Sequence, residues 1–143
     1  SKSRSLAGMR IGYAFGSETL ISTLEAVKNS YNSYTMDSLA LAVGEASIRD
    51  EAYFRETCRK VAATRDRAAD ELRALGFEVT PSLANFLFAT HPKKAAPEIF
   101  SALREKGIFI RYFKLPRIDN HLRITVGTDE QMDALIAALK QIL

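Results

Sequence analysis

The spacing of apolar residues changes period partway along the chain, from helical in the first half to short runs broken by glycine and proline in the second. Ser17 is a good N-cap with Glu18 behind it, and Leu20, Ile21, Leu24 and Val27 follow as one helical face. Residues 29–35, rich in Asn, Ser and Tyr, read as a loop, and a second helix starts at Asp37 or Ser38 and runs through Leu39, Leu41, Val43 and Ala46. Residues 51–75 form a long amphipathic helix on Tyr53, Phe54, Cys58, Val61, Ala62, Ala68, Ala69, Leu72 and Leu75, and Gly76 terminates it. Beyond it, residues 77–79, 85–89, 108–113 and 122–126 read as strands. A helix opens at Pro97 and stops at Gly107, and a last one starts at Thr128, whose spacing to Gln131 is that of a capping box. Ahead of all these, residues 1–8 read as a loop and residues 9–15, bounded by Gly8 and Gly16, as a strand.

The order β-β-α-β-β-α after a long helix predicts an α/β fold with helices on one face of a mostly antiparallel sheet. The handover between two domains falls near residues 46–53, which assigns residues 1–48 to one domain and 49–143 to a small C-terminal α/β domain.

Composition narrows the class. The 143 residues are 47% hydrophobic and 26% charged, enough for a folded core. A net charge of +3 is spread along the chain rather than gathered into a stripe, which argues against a nucleic-acid partner. Cys58 is the only cysteine, so no internal disulfide forms, as suits a reducing, cytoplasmic setting. Its place in the helical pattern predicts a packed thiol. No apolar run is long enough for a membrane span, and no apolar core follows the opening Ser1-Lys2-Ser3-Arg4. A chain that opens inside a glycine-bearing loop reads as part of a longer polypeptide, and apolar surface left uncovered by the remainder predicts association.

Two segments carry chemistry. The first, S-K-S-R-S-L-A-G-M-R-I-G over residues 1–12, brings a lysine, serine hydroxyls, arginines and glycines into one loop. Hydroxyls, backbone N–H groups and an arginine can hold a phosphate, and a lysine beside other cations loses its proton more readily and becomes a nucleophile. On residue types alone, a solvated basic tail explains the segment equally well. The second, L-R-I-T-V-G-T over residues 122–128, sets Arg123 inside an apolar strand, where it needs an anionic partner. That partner is either an internal carboxylate or a ligand. Arg111 interrupts the apolar strand 108–113 in the same way.

S-K-x-x-x-L-A-G-x-R-x-G resembles the cofactor-lysine signature of fold-type I aminotransferases, and L-R-I-T-x-G-T is similar to their substrate-anion strand. The resemblance covers essentially the whole chain and is nearest to the histidinol-phosphate branch. It implies the C-terminal part of a fold-type I transferase dependent on pyridoxal 5'-phosphate (PLP): the tail of the large domain followed by the small domain. It further implies that Lys2 carries the cofactor and shuttles the proton, and that Ser1 and Arg10 bind the cofactor phosphate. Arg123, with Arg111, would grip the anion of the substrate. Two guanidinium groups on one site favour a dianionic phosphate over a single carboxylate.

The implied reaction is transamination between an amino donor and a 2-oxo acid, histidinol phosphate with 2-oxoglutarate in histidine biosynthesis, by a homodimer. An aromatic or broad-specificity aminotransferase and a threonine-phosphate decarboxylase are the alternatives within the superfamily. A non-catalytic fragment or a subunit-interaction module is the alternative outside it. Asn32, Tyr34 and the Asn85-Phe86 pair resemble family positions but read first as structural. Neither His91 nor His121 has metal-ligand spacing to another donor.

Overall fold

A computed structural model describes residues 2–143, so the role expected of Ser1 lies outside the described residues. The chain divides into two compact units, Ser1–Glu56 and Thr57–Leu143.

In the first unit a short 3-10 turn, Ala7–Met9, is followed by extended chain and then by α1 (Glu18–Tyr31) and α2 (Ser38–Arg49). The Ser17 hydroxyl accepts from the Leu20 amide at 3.4 Å, and Asp37 Oδ1 accepts from the Ala40 amide at 2.7 Å. Both helices therefore start where their caps predict. α1 continues past Val27 and displaces the first part of the loop expected at 29–35, because nothing at Asn29 or Ser30 halts a helix already formed. α3 (Glu51–Ala74) begins in this unit and continues into the second.

The strand expected over residues 9–15 does not form. Arg10 takes a left-handed conformation with φ 55°, and Tyr13 and Phe15 are 80% and 92% exposed. A strand exists only through the ladder it shares with a neighbour, and the described first unit offers none. Ala40 is the one buried hydrophobic residue among the described residues of this unit, while Leu20, Leu24 and Val27 face outward from α1.

The second unit holds β1 (Glu78–Val79), β2 (Phe86–Thr90), α4 (Ala96–Glu105), β3 (Arg111–Tyr112), β4 (Leu122–Thr125) and α5 (Asp129–Ile142). The strands form one sheet in the order β1-β2-β4-β3, and every pairing is antiparallel. In β2 and β4 alternate residues are buried: Leu87 and Ala89 pair with Ile124 and Leu122 and join one core with Leu72 of α3, Ile99 and Leu103 of α4, and Leu135 and Leu139 of α5. All three helices thus cover the same sheet face, as the order of elements predicts. Each fully buried Leu or Ile contributes about 1.5–3 kcal/mol of transfer free energy.

β3 is shorter than the run 108–113 predicts. Ile108 and Ile110 still pack against the core and Phe109 points out at 80% exposure, but only Arg111 and Tyr112 pair with β4. The apolar alternation holds beyond the ladder because burial, not hydrogen bonding, sets it. Cys58 also departs from expectation. It is exposed, because the core side of α3 begins only at Thr64.

Three local devices fix the second unit. Gly107 ends α4 at φ 77°, and the Ile108 amide closes back on the Leu103 carbonyl at 2.9 Å. At the start of α4, Ala95 offers no cap, and Asn120 Oδ1 accepts from the Ala96 amide at 2.8 Å instead. At the start of α5 the capping box forms in both directions between Thr128 and Gln131, and Gln131 lies so close to Gly127 that a Cβ there would meet Oε1 at 2.3 Å and Cβ at 3.1 Å.

α3 and α5 are tied by Arg67, which pairs with Asp129 at 2.9 Å, Asp133 at 2.7 Å and Glu71 at 3.0 Å. The Arg67 guanidinium, helped by the Thr64 hydroxyl, holds the Asp129 carboxyl below the ordinary carboxylate range. A depressed folded pKa contributes stability above the unfolded value of about 3.9, lost as pH falls through the folded value. Arg67→Met is therefore expected to move the acid-unfolding midpoint to higher pH, followed by circular dichroism, with the loss small because the pairs are solvent-exposed. Leu103→Ala should cost about 2–5 kcal/mol in urea unfolding, whereas Leu24→Ala on the outward face of α1 should cost under about 0.5 kcal/mol.

Candidate functional site

The sheet face opposite the helices is neither apolar nor plainly solvated. Because side chains alternate, Phe86 and Phe88 of β2, Arg123 of β4 and Arg111 of β3 share that face. Arg111 and Arg123 are direct cross-strand partners. Opposed Cβ atoms in an antiparallel pair lie about 4.5–5.5 Å apart, so two positive side chains start from neighbouring points on one surface. The sequence singles out both arginines, and the register brings them together.

Arg123 is half-buried, and its Nε is covered with no hydrogen-bond partner. Among the described residues no carboxylate pairs with Arg123 or Arg111, so the internal salt bridge that would explain a buried strand arginine is not made. Instead the guanidinium carbons sit against aromatic rings. Arg123 Cζ is 5.4 Å from the Phe86 ring centre and 5.6 Å from that of Phe113, and Arg111 Cζ is 5.3 Å from the Phe113 ring centre. These are cation–π distances. The His121 ring stacks on Phe88 at 4.7 Å with planes 7° apart, and its Nδ1 is likewise covered and unpartnered. The surface is a cationic patch with an aromatic floor.

Phe86, Phe88, Phe113 and His121 were not read from the sequence as site residues. Their signal was parity: Phe113 and His121 lie two positions from Arg111 and Arg123, Phe88 lies opposite Arg123 and Phe86 two positions from Phe88, which is useful only once the register is known.

In the first unit, Lys2 and Arg10 are both exposed, in a loop with two non-glycine residues at positive φ, Ser5 and Arg10, each at 55°. The Lys2 carbonyl accepts from the Ser5 amide at 3.3 Å, and the Arg10 guanidinium donates to the Ala7 carbonyl at 3.3 Å. No carboxylate among the described residues pairs with either cation. The donor set of amine, guanidinium and loop amides fits a phosphate. Arg4 secures this loop. Its guanidinium donates to the carbonyls of Ser47 and Asp50, pairs with Glu51 at 3.2 Å and lies 4.0 Å from the Phe54 ring centre. It thereby satisfies the Ser47 carbonyl in the last turn of α2, which the helix itself leaves open.

Residues 1–139 match the family model of class I and II aminotransferases. Histidinol-phosphate aminotransferase 2 of Dechloromonas aromatica is 58% identical over 142 residues, covering 99% of this chain and 40% of that protein. Histidinol-phosphate aminotransferase 1 of Bordetella parapertussis is 57% identical with the same coverage. The chain thus spans about 40% of the length of the curated relatives it matches. Among solved structures, histidinol-phosphate aminotransferase from Sinorhizobium meliloti in complex with pyridoxal-5'-phosphate superposes with a TM-score of 0.87 at 32% identity, covering 99% of this chain and 39% of that one. An aspartate aminotransferase from Thermus thermophilus shares the fold, with a TM-score of 0.80 at 24% identity.

Like charges directly opposite in a sheet destabilise it by up to about 1 kcal/mol. Arg111→Met is accordingly expected to leave the second unit as stable or slightly more stable in buffer free of multivalent anions. Urea unfolding of the two proteins measures this directly.

Proposed function

Because the chain belongs to the class I and II aminotransferase family, we propose that it is the C-terminal portion of a PLP-dependent enzyme that moves the amino group of histidinol phosphate to 2-oxoglutarate. The observation that carries this reading is the Arg111–Arg123 cross-strand pair on the open sheet face, without a carboxylate of its own. A single carboxylate needs one guanidinium fork, while a phosphate monoester dianion uses two. The names of the relatives at 57% and 58% identity point to the same substrate.

On this reading residues 1–48 are the tail of the cofactor-binding large domain and residues 49–143 the small domain. Lys2, Ser1 and Arg10 hold the cofactor, Lys2 covalently through its amine, Ser1 and Arg10 through the phosphate. When bound, PLP supplies a carbonyl that takes up amino groups and a ring that withdraws electrons from the substrate carbon. The Lys2 amine would take up and hold the proton lost from the substrate Cα. Arg123 and Arg111 anchor the distal phosphate and so orient the carbon that loses the proton. The enzyme works as a homodimer in the cytoplasm, on small-molecule donors and 2-oxo acids.

Borohydride reduction of the full-length protein with PLP, followed by peptide mapping, is expected to leave a pyridoxyl adduct on Lys2, and a folded protein without that adduct would sink the reading. Arg123→Met should raise KM for histidinol phosphate about a hundredfold, since removing one partner of a close charge pair costs about 2–5 kcal/mol. Carbon dioxide released from phosphothreonine, in place of amino transfer from histidinol phosphate, would assign the chain to the decarboxylase branch instead.

A further inference from the structure

We propose that Phe113 is a positioning residue that sets the two arginines as one receptor for a dianion, and so determines selectivity for a phosphorylated amino donor over a carboxylate-bearing one. The inference rests on the reading of Arg111 and Arg123 as the substrate-anion site and assigns to that site a residue that acts through the two arginines.

Phe113 follows β3 directly and falls on the same face as Arg111, two positions before it. It is half-buried, and its ring centre lies 5.3 Å from Arg111 Cζ and 5.6 Å from Arg123 Cζ. One ring therefore meets both guanidinium groups. Two cations in cross-strand register repel, and without a third element the exposed Arg111 would swing into solvent, where a side chain of its length has many rotamers. The negative face of an aromatic ring attracts both cations at once and opposes that separation. Arg123 is held further by Phe86 at 5.4 Å, and its covered Nε, with no partner, is confined to packing against these rings. The terminal nitrogens then carry the recognition.

Selectivity follows from counting forks. A carboxylate is satisfied by Arg123 alone, whose hold on Phe86 does not involve Phe113. A phosphate dianion gains from Arg111 only if that guanidinium waits beside Arg123 before the ligand arrives, which lowers the ordering cost of binding. Loss of the Phe113 ring therefore weakens the phosphorylated donor selectively, whereas a ring that only packed the sheet would affect both donors alike.

The test uses the full-length enzyme with Phe113→Leu, Phe113→Met and Phe113→Tyr, beside Arg111→Met. For each, kcat/KM is measured with histidinol phosphate and with an aromatic amino acid, using 2-oxoglutarate as acceptor. Leu and Met are expected to lower the phosphate-to-carboxylate selectivity ratio about five- to tenfold, through KM rather than kcat, and Tyr to restore it. Met keeps most of the volume, so it remains informative if Leu disturbs folding. A ratio unchanged within about twofold in Phe113→Met, while Arg111→Met collapses it, overturns the role of Phe113 and leaves the functional reading intact. A ratio that Arg111→Met does not move overturns the reading of the two arginines as a dianion site, and this inference with it.

Discussion

The pairing of β2 with β4 in the register Leu87↔Ile124 and Phe88↔Arg123 is the constraint from which the second unit follows. Strand side chains have a period of two, so a slip of one residue would send Arg123 into the core and Ile124 out of it. Burying an unpaired guanidinium costs several kcal/mol, while the correct register buries Leu87, Ala89, Leu122 and Ile124 against three helices. The same free-energy difference that builds the core therefore fixes where Arg123 stands. Because β4 also pairs with β3, it decides as well that Arg111 faces Arg123.

That arrangement asks the fold to tolerate opposed cations. It can, because β3 is an edge strand only two residues long and Arg111 is exposed, so water screens much of the repulsion. The floor of Phe86 and Phe113 supplies attraction that needs no counter-charge. A carboxylate in the same position would neutralise the patch and leave nothing for a ligand to complete. The loop bearing Lys2 follows a parallel logic, since the carbonyls and carboxylate in its neighbourhood engage Arg4.

Features set by local chemistry were legible in the chain. The caps Ser17, Asp37 and Thr128 and the stops at Gly76 and Gly107 gave the helices, because each works within one turn. The strands of the second half were legible in kind but not in extent, since the β3 ladder covers only Arg111 and Tyr112 while the apolar alternation runs on from residue 108. The expected strand at residues 9–15 failed for the same reason in stronger form: its apolar alternation is real, but no neighbour pairs with it. Cys58 was misplaced because helical periodicity reports a face, not how far along the helix the core reaches. Arg111 and Arg123 could be named as residues in need of anions, yet their opposition, and the rings around them, depend on register and could not be read from one strand at a time. The cap of α4 was hidden likewise, since Asn120 comes from a distant loop.

The contact between Gly127 and Gln131 has a consequence for how this segment can change over generations. The side chain that closes the capping box occupies the space a Cβ at residue 127 would need, so the two positions are not independent. Any larger residue at 127 first evicts Gln131, after which a short polar residue at 131 is no worse than glutamine. A descendant that has crossed that step faces a penalty for restoring Gln131 before Gly127. The joint between β4 and α5 is thus a site of epistasis, where the order of substitutions decides which are tolerated.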